Sequence, residues 1–369
     1  MYDVVVIGAG QAGLSAAHHL RRRGLVPGED MVVLDSGDGP GGAWRERWDS
    51  LTLGAAHGIH DLPGLPLGDP DPAEPASAVV SRYYGAYEER FGLDVVRPVR
   101  VRDVRPLVRG EGGEVVEGGA GQVDDRGVDR TSPLVVTSDA GSWTTRTVVS
   151  ATGTWTRPHW PAYPGRETFL GRQLHTHDFV SAEEFRGKHV VVVGGGASAV
   201  QFLLQIAEVT TTTWATRRPP VFDVRSFDQE WGRDVERRVV ERTSAGLQTL
   251  SVVGATGLAL TPVYQQGIDD GVLVSRGMFT RITPTGVVFE DGEVQADVIL
   301  WATGFKPAVD HLAPLRLREP SGGIATDGVH VPRDPRVFLA GYGAGASTIG
   351  ATRTGRAAAL AALELVGRW

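Results

Sequence analysis

A chain of 369 residues has room for two domains at about 150 residues each. Its 41% hydrophobic and 22% charged residues are those of an ordinary soluble globular protein, which argues against a disordered chain or a membrane bundle. The net charge of −7 comes from 37 basic and 44 acidic residues; the basic ones are dispersed, so no nucleic-acid partner is expected. With no cysteine, disulfides, thiolate metal sites and redox dithiols are excluded, and no metal site is expected.

The chain opens on Tyr2-Asp3-Val4-Val5-Val6-Ile7, a strand pattern with no charged leader before it, and a cytoplasmic location is expected. No apolar run, residues 357–366 included, reaches the roughly 18 residues of a membrane span. The strand at 4–7 runs into Gly8-Ala9-Gly10-Gln11-Ala12-Gly13 and a helical pattern through Leu20. A second strand at 31–34 ends in Asp35 and Ser36, with Asp35 22 residues beyond Gly13. Strand, glycine turn, helix, strand and acid form a dinucleotide-binding unit. A Pro/Gly/Asp-rich loop at 62–76, a helix near 77–91 and a strand-like segment at 95–104 follow. Residues 110–130 read as a hairpin loop without assigned function.

A strand at 144–149 enters Ala151-Thr152-Gly153-Thr154-Trp155, and Pro158, Pro161 and Pro164 mark a crossover. The same grammar then repeats: a strand at 189–193, Gly194-Gly195-Gly196-Ala197-Ser198-Ala199, a helix through Ala207 and a strand at 211–215. A strand at 297–301 leads to Ala302-Thr303-Gly304-Phe305, an echo of the earlier turn, read here as the return to the first domain. A strand at 337–339, a loop at 341–350 and a last helix from Arg353 complete it. The expected fold is α/β, with two Rossmann-like dinucleotide-binding domains, the NADPH domain (161–295) inserted into an FAD domain made of 1–160 and 296–369.

A pyrophosphate needs backbone N–H donors and the positive end of a helix, and glycine lets the backbone approach it. Gly8, Gly10 and Gly13 meet that need, and Asp35 suits a ribose 2′-OH while repelling a 2′-phosphate, which favours FAD there. In the second fingerprint Ala199 takes the third glycine position, and Arg217 and Arg218 stand where the acid would be, suited to a 2′-phosphate. NADPH is expected at that site, with NADH left open. A plainer reading makes both arginines solvated charges, since lysine occurs only at Lys188 and Lys306 and arginine is the chain's usual base.

Three further segments carry a resemblance: Gly41-Gly42-Ala43-Trp44-Arg45-Glu46-Arg47-Trp48-Asp49, the paired Ala-Thr-Gly turns, and residues 341–356. Between the fingerprints, Phe169, Gly171, His175 and Phe179 fit an F-x-G-x-x-x-H-x-x-x-(F/Y) signature. In this order the set resembles the bacterial flavin-containing monooxygenases, the class B single-component kind, across nearly the whole chain. The resemblance implies FAD contacts from Gly8, Gly10, Gln11, Ala12, Gly13, Asp35, Ser36, Gly42, Ala43, Trp44, Trp48, Val101, Ala151, Thr152, Gly153, Ser347, Thr348 and Ile349. It implies NADPH contacts from Gly194, Gly196, Ala197, Ser198, Ala199, Arg217 and Arg218. Trp44 is placed beside the isoalloxazine, although a core tryptophan fits equally well; His175 is read as a structural hinge histidine ahead of an acid or base.

By the same resemblance, NADPH reduces FAD, the reduced flavin captures dioxygen as a C4a-hydroperoxide, and one oxygen atom passes to a soft nucleophile. The partners implied are a small-molecule substrate and dioxygen. Relatives that oxygenate amines place an asparagine near the flavin, and this chain has none. The matching stretch reads Gly54-Ala55-Ala56-His57, so His57 or His60 is left as a substitute donor, and Trp44 and His57 are the candidate catalytic residues. Sulfides are therefore expected ahead of amines, with part of the NADPH lost to hydrogen peroxide. The signature ends in Phe179-Val180 where Baeyer-Villiger enzymes have Trp-Pro, which makes ketone oxidation secondary. An NAD(P)H-dependent flavin oxidase or reductase, and a non-enzymatic flavin-binding sensor, are the alternatives; substrate identity and oligomeric state are not fixed by the residues.

Overall fold

The computed structural model describes residues 1–56, 58–107, 123–223, 229–249 and 257–368. His57 and most of the 110–130 loop lie outside them. Along the chain the elements are β1 (Tyr2–Ile7), α1 (Gln11–Arg22), β2 (Met31–Leu34), α2 (Ala76–Phe91), β3 (Val101–Pro106), β4 (Leu134–Ser138), β5 (Ser142–Ser150), β6 (Arg172–His175), β7 (Val190–Val193), α3 (Ala197–Ala207), β8 (Thr212–Ala215), β9 (Phe222–Asp223), α4 (Gln229–Ser244), β10 (Leu258–Ala259), α5 (Pro262–Asp269), β11 (Arg281–Thr283), β12 (Gly286–Phe289), β13 (Gly292–Gln295), β14 (Val298–Trp301), β15 (Val337–Leu339) and α6 (Thr348–Val366).

The valine-rich strands are buried on both faces, as parallel strands covered by other layers must be. The first sheet runs β2-β1-β5-β4-β3, with β15 also on β5. β1 is parallel to β2 and β5, while the first half of β5 carries β4 antiparallel and its second half carries β15 parallel. Val4 and Val6 face a core shared with α1, α2 and α6; Val5 and Ile7 face the opposite core. Helix α6 lies close enough on α1 that a Cβ on Gly355 would stand 2.2 Å from the Ala12 carbonyl oxygen. Small residues at that crossing are what allow α6 to reach the first glycine turn.

The second sheet is all parallel, in the order β6-β14-β7-β8. One face packs on α3; the other packs on the antiparallel β11-β12-β13 sheet through Ile282, Val287 and Phe289. Three expectations change. Strand β14 was placed in the returning segment that starts at 296, but it is bonded between β6 and β7, so the return to the first sheet comes after Trp301. The 95–104 segment is a strand only from Val101, because Pro98 offers no N–H to a ladder; Val96 makes a lone bridge to Leu34. The last helix starts at Thr348, not Arg353, because the Ser347 hydroxyl accepts from the Gly350 N–H at 3.0 Å and caps it there. Among the described residues no helix is long and apolar enough to cross a membrane.

Candidate active site at the junction of the two sheets

Both glycine turns sit at the carboxyl ends of parallel strands, where open α/β sheets bind ligands. At the first, Gly8 has φ +101° and a Cβ there would meet the Ala151 carbonyl oxygen at 2.6 Å; a Cβ on Gly13 would stand 1.7 Å from the Gly8 oxygen. Those two glycines are required by the fold itself. Gly10 differs: a Cβ would meet nothing within 4 Å. Its glycine leaves open space at the helix N-terminus, the kind of space a pyrophosphate enters. The second turn repeats this: Gly194 has φ +139° and a Cβ there would stand 2.1 Å from the Ala302 carbonyl oxygen, while one on Gly196 would meet nothing within 4 Å. No side chain caps α1 or α3, whereas Thr261 and Ser347 cap α5 and α6. The donors at both glycine-led helix starts are thus free of side-chain acceptors, and these residues fit the phosphates of two dinucleotides.

Asp35 accepts hydrogen bonds from the Ala9 N–H at 2.6 Å and the Gly37 N–H at 2.9 Å, so its carboxylate is fixed at the crest of the first turn; Ser36 beside it is exposed. The Val99 N–H donates to the Asp35 carbonyl at 2.7 Å and brings the segment that ends in half-buried Val101 alongside. A Cβ on Gly42 would stand 2.8 Å from Gly10 Cα, which carries Ala43 and Trp44 over the turn. Gln11 donates through Nε2 to the Thr348 carbonyl and, at 2.9 Å, to Thr352 Oγ1. Gly8 to Gly13, Asp35, Gly42, Ala151, Thr152, Ser347 and Thr348 therefore form one neighbourhood, although Ser347 spends its hydroxyl on the helix cap. Gly153, at φ +60°, marks the exit from it.

Trp48 is buried: its ring packs at 5.6 Å on Phe179 and 4.9 Å on Phe202, in the core cluster against which Trp44 also packs. Ala199 is fully buried on β7, Ala197 and Ser198 open α3, and Arg217 and Arg218 are exposed just beyond β8. Arg217 and Lys306 act together on His159, whose pKa burial first and then both cations push down, so the mouth of the second crevice is basic.

In the linker, a Cβ on Gly171 would stand 2.4 Å from the Asp297 carbonyl oxygen, which explains glycine where β6 starts beside β14. Phe169 is buried against Trp301. His175 is fully buried; its Nε2 is 3.0 Å from the Gly304 carbonyl and its Nδ1 accepts from the His177 N–H at 3.2 Å. Those partners require the neutral Nε2–H form, and burial pushes its pKa down to about 4. Both nitrogens are thus committed to backbone.

The two Ala-Thr-Gly exits meet. Pro158 bridges Phe305, and the Ala308 N–H donates to the Gly153 carbonyl at 2.9 Å; Trp155 stacks on Phe305 at 4.7 Å. Above them is a group not singled out from the sequence. The Arg47 guanidinium lies 3.9 Å from the Trp155 ring centre, 5.8 Å from that of Trp44 and 6.0 Å from that of Trp48. Arg47 stands in a segment quoted for its resemblance, but nothing in the sequence marks it as a cation enclosed by tryptophans.

The comparisons with known proteins agree with this architecture. A model of the pyridine nucleotide-disulphide oxidoreductase family matches residues 2–359. The structure of a flavin-containing monooxygenase from Stenotrophomonas maltophilia is 35% identical, with a TM-score of 0.77 and 99% of each chain covered. Indole-3-pyruvate monooxygenase YUCCA1 of Oryza sativa subsp. japonica is 30% identical over 344 residues, covering 83% of this chain and 77% of that protein. The uncharacterized oxidoreductase CzcO of Bacillus velezensis is 25% identical over 222 residues, 60% of this chain; only 56% of that protein is spanned. Two sheets, each with a glycine-led turn at a strand end, meet at an aromatic junction, and the matches make the chain a flavin-dependent oxidoreductase. The chain belongs to the pyridine nucleotide-disulphide oxidoreductase family and, within it, to the flavin-dependent monooxygenases. With no cysteine, it holds none of the dithiol chemistry in the broader family's name.

Proposed function

We propose that the chain oxygenates a small soft nucleophile, a sulfide ahead of an amine, with FAD at the first glycine turn and NADPH at the second. The observation that carries this is the contrast between the two strand ends: a fixed carboxylate, Asp35, follows the first turn, and two exposed arginines follow the second. A carboxylate favours a bare ribose and a guanidinium pair favours a phosphorylated one. When bound, FAD takes a hydride from the nicotinamide and, once reduced, activates dioxygen for transfer of one atom to substrate.

The remaining roles belong to the chain's own residues. The α1 N-terminus and Gly10 receive the FAD pyrophosphate, and Asp35 holds the ribose. The α3 N-terminus and Gly196 receive the NADPH pyrophosphate, with Arg217 and Arg218 at the 2′-phosphate. Trp44 and the Trp155–Phe305 stack exclude water between the two crevices. The domain unit that binds NADPH extends from about residue 161 through β14, with the remainder of the chain forming the FAD unit.

The preference for sulfides rests on the missing asparagine: the chain has none, and the stretch that the resemblance aligns there, Gly54-Ala55-Ala56-His57, overlaps the short turn Leu53–Ala55, whose Leu53 and Gly54 N–H groups are spent on the Glu74 and Pro72 carbonyls. It has no side-chain amide to offer. The same feature favours a second reading, an NADPH oxidase that releases hydrogen peroxide and no oxygenated product. Anaerobic reduction by NADPH followed by oxygen and methyl phenyl sulfide separates the two: sulfoxide formed in proportion to NADPH supports oxygenation, and a yield near zero with stoichiometric peroxide supports the oxidase. Failure of NADPH to bleach the bound flavin refutes both.

A further inference from the structure

Among the described residues, six buried side-chain nitrogen atoms have no hydrogen-bond partner: His18 Nδ1, Arg47 Nε, Trp48 Nε1, Arg97 Nε, Arg130 Nη2 and Trp155 Nε1. Arg97 and Arg130 are nonetheless paired with acids, Arg97 with Glu88 at 2.6 Å and Arg130 with Asp124 at 2.8 Å. His18 stands apart, against Phe91. The other three are neighbours, since the Arg47 guanidinium lies over Trp155 and beside Trp48. Three unspent N–H donors in one cluster is not what a folded interior tolerates without a reason, because each costs the desolvation of its polar group.

The cation sharpens the point. Arg47 forms no ion pair among the described residues, and burial alone pushes its pKa down to about 10, so it stays charged at neutral pH. Aromatic faces offset part of the desolvation; they supply no acceptor for its buried Nε–H. An arginine so enclosed is normally matched by a carboxylate or phosphate oxygen in a forked pair. The phosphates of both dinucleotides already have receivers at the open Gly10 and Gly196 turns, and the exposed Arg217 and Arg218 serve the second. Arg47 is surplus to those sites and stands where the two strand exits meet.

The geometry points to Arg47, beside Trp48 and Trp155, as the receptor for a carboxylate borne by the substrate. The substrate class is thus a small soft nucleophile that bears a carboxylate. This rests on the active-site reading above, but binding is measured without turnover, so failed oxygenation and a failed receptor are separate results.

The test is equilibrium titration of the FAD-loaded protein with benzoate and with its neutral isostere benzamide, followed by tryptophan fluorescence. Benzoate is expected to saturate the signal about tenfold or more tighter than benzamide, the ratio that one charge-assisted hydrogen bond supplies. Arg47→Gln is expected to abolish that ratio and Arg47→Lys to keep part of it, with flavin content as the check that each variant is folded. Equal affinity for the two probes in the unaltered protein overturns the proposal, as does a benzoate preference that survives Arg47→Gln. If Arg47→Gln instead weakens NADP⁺ binding tenfold while benzoate and benzamide remain alike, the oxyanion belongs to the cofactor and the substrate receptor is refuted.

Discussion

Gly10 and Gly13 stand three residues apart in one fingerprint, yet substitution to alanine is expected to fail for different reasons. A Cβ on Gly13 would lie 1.7 Å from the Gly8 carbonyl oxygen, so α1 must move away from β1 by roughly 2 Å before contact becomes ordinary. Overpacking of this kind costs up to about 3 kcal/mol, and Gly13→Ala should lower the urea midpoint whether or not FAD is present. Gly10 has φ −77°, which alanine adopts freely, and open space in front of it. Gly10→Ala should therefore leave the stability of the FAD-free protein within about 1 kcal/mol, the loss of a glycine N-cap being partly offset by a less flexible unfolded chain.

The methyl group nevertheless occupies the approach to the α1 donors. Losing one charge-assisted hydrogen bond there costs about 1.5–3 kcal/mol, a roughly 10- to 150-fold weaker Kd for FAD. Flavin fluorescence titration gives the Kd, and urea unfolding of the stripped protein gives the stability. An unchanged FAD affinity in Gly10→Ala, or a large loss of stability without FAD, refutes the assignment of Gly10 to the pyrophosphate.

Other perturbations separate binding from structure in the same way. Replacing both Arg217 and Arg218 with alanine should raise KM for NADPH by about 10- to 100-fold while leaving NADH unchanged, since only the 2′-phosphate loses its charged donors; an unchanged NADPH/NADH ratio in steady-state kinetics refutes that role. Ser347→Ala removes the cap on α6 and should cost about 1 kcal/mol, read as a lower thermal midpoint. His175 is held near 4 by burial against an ordinary value of 6.5, so between those values the unfolded chain binds the extra proton. Stability is then fully present above about pH 6.5 and is lost as the pH falls towards 4, at no more than about 1.4 kcal/mol per pH unit for this group. His175→Gln should flatten that slope in urea unfolding at several pH values, and an unaltered slope assigns the acid sensitivity to other buried histidines such as His311.

Much of the fold was legible because its signals are local. Gly8 and Gly194 need positive φ, runs of valine need cover on both faces, and Asp35 follows its strand directly; each requirement is written into adjacent residues. The first glycine turn was legible for the same reason, as its residues belong to one strand-turn-helix. Strand β14 was not, because four buried apolar residues carry no information on which sheet they join; the pairing with β6 and β7 assigned it. For Trp48 the structure adds the packing on Phe179 and Phe202, a pairing that a single tryptophan in the sequence does not encode. The Arg47 cluster was the least legible. Trp155 lies more than a hundred residues further along the chain, and the absence of an ion pair to Arg47 among the described residues is a property of the folded neighbourhood alone. Sequence determined the two glycine turns, because backbone geometry is set by near neighbours; tertiary structure decided what lies between them, because burial and unspent hydrogen bonds depend on residues from both sheets.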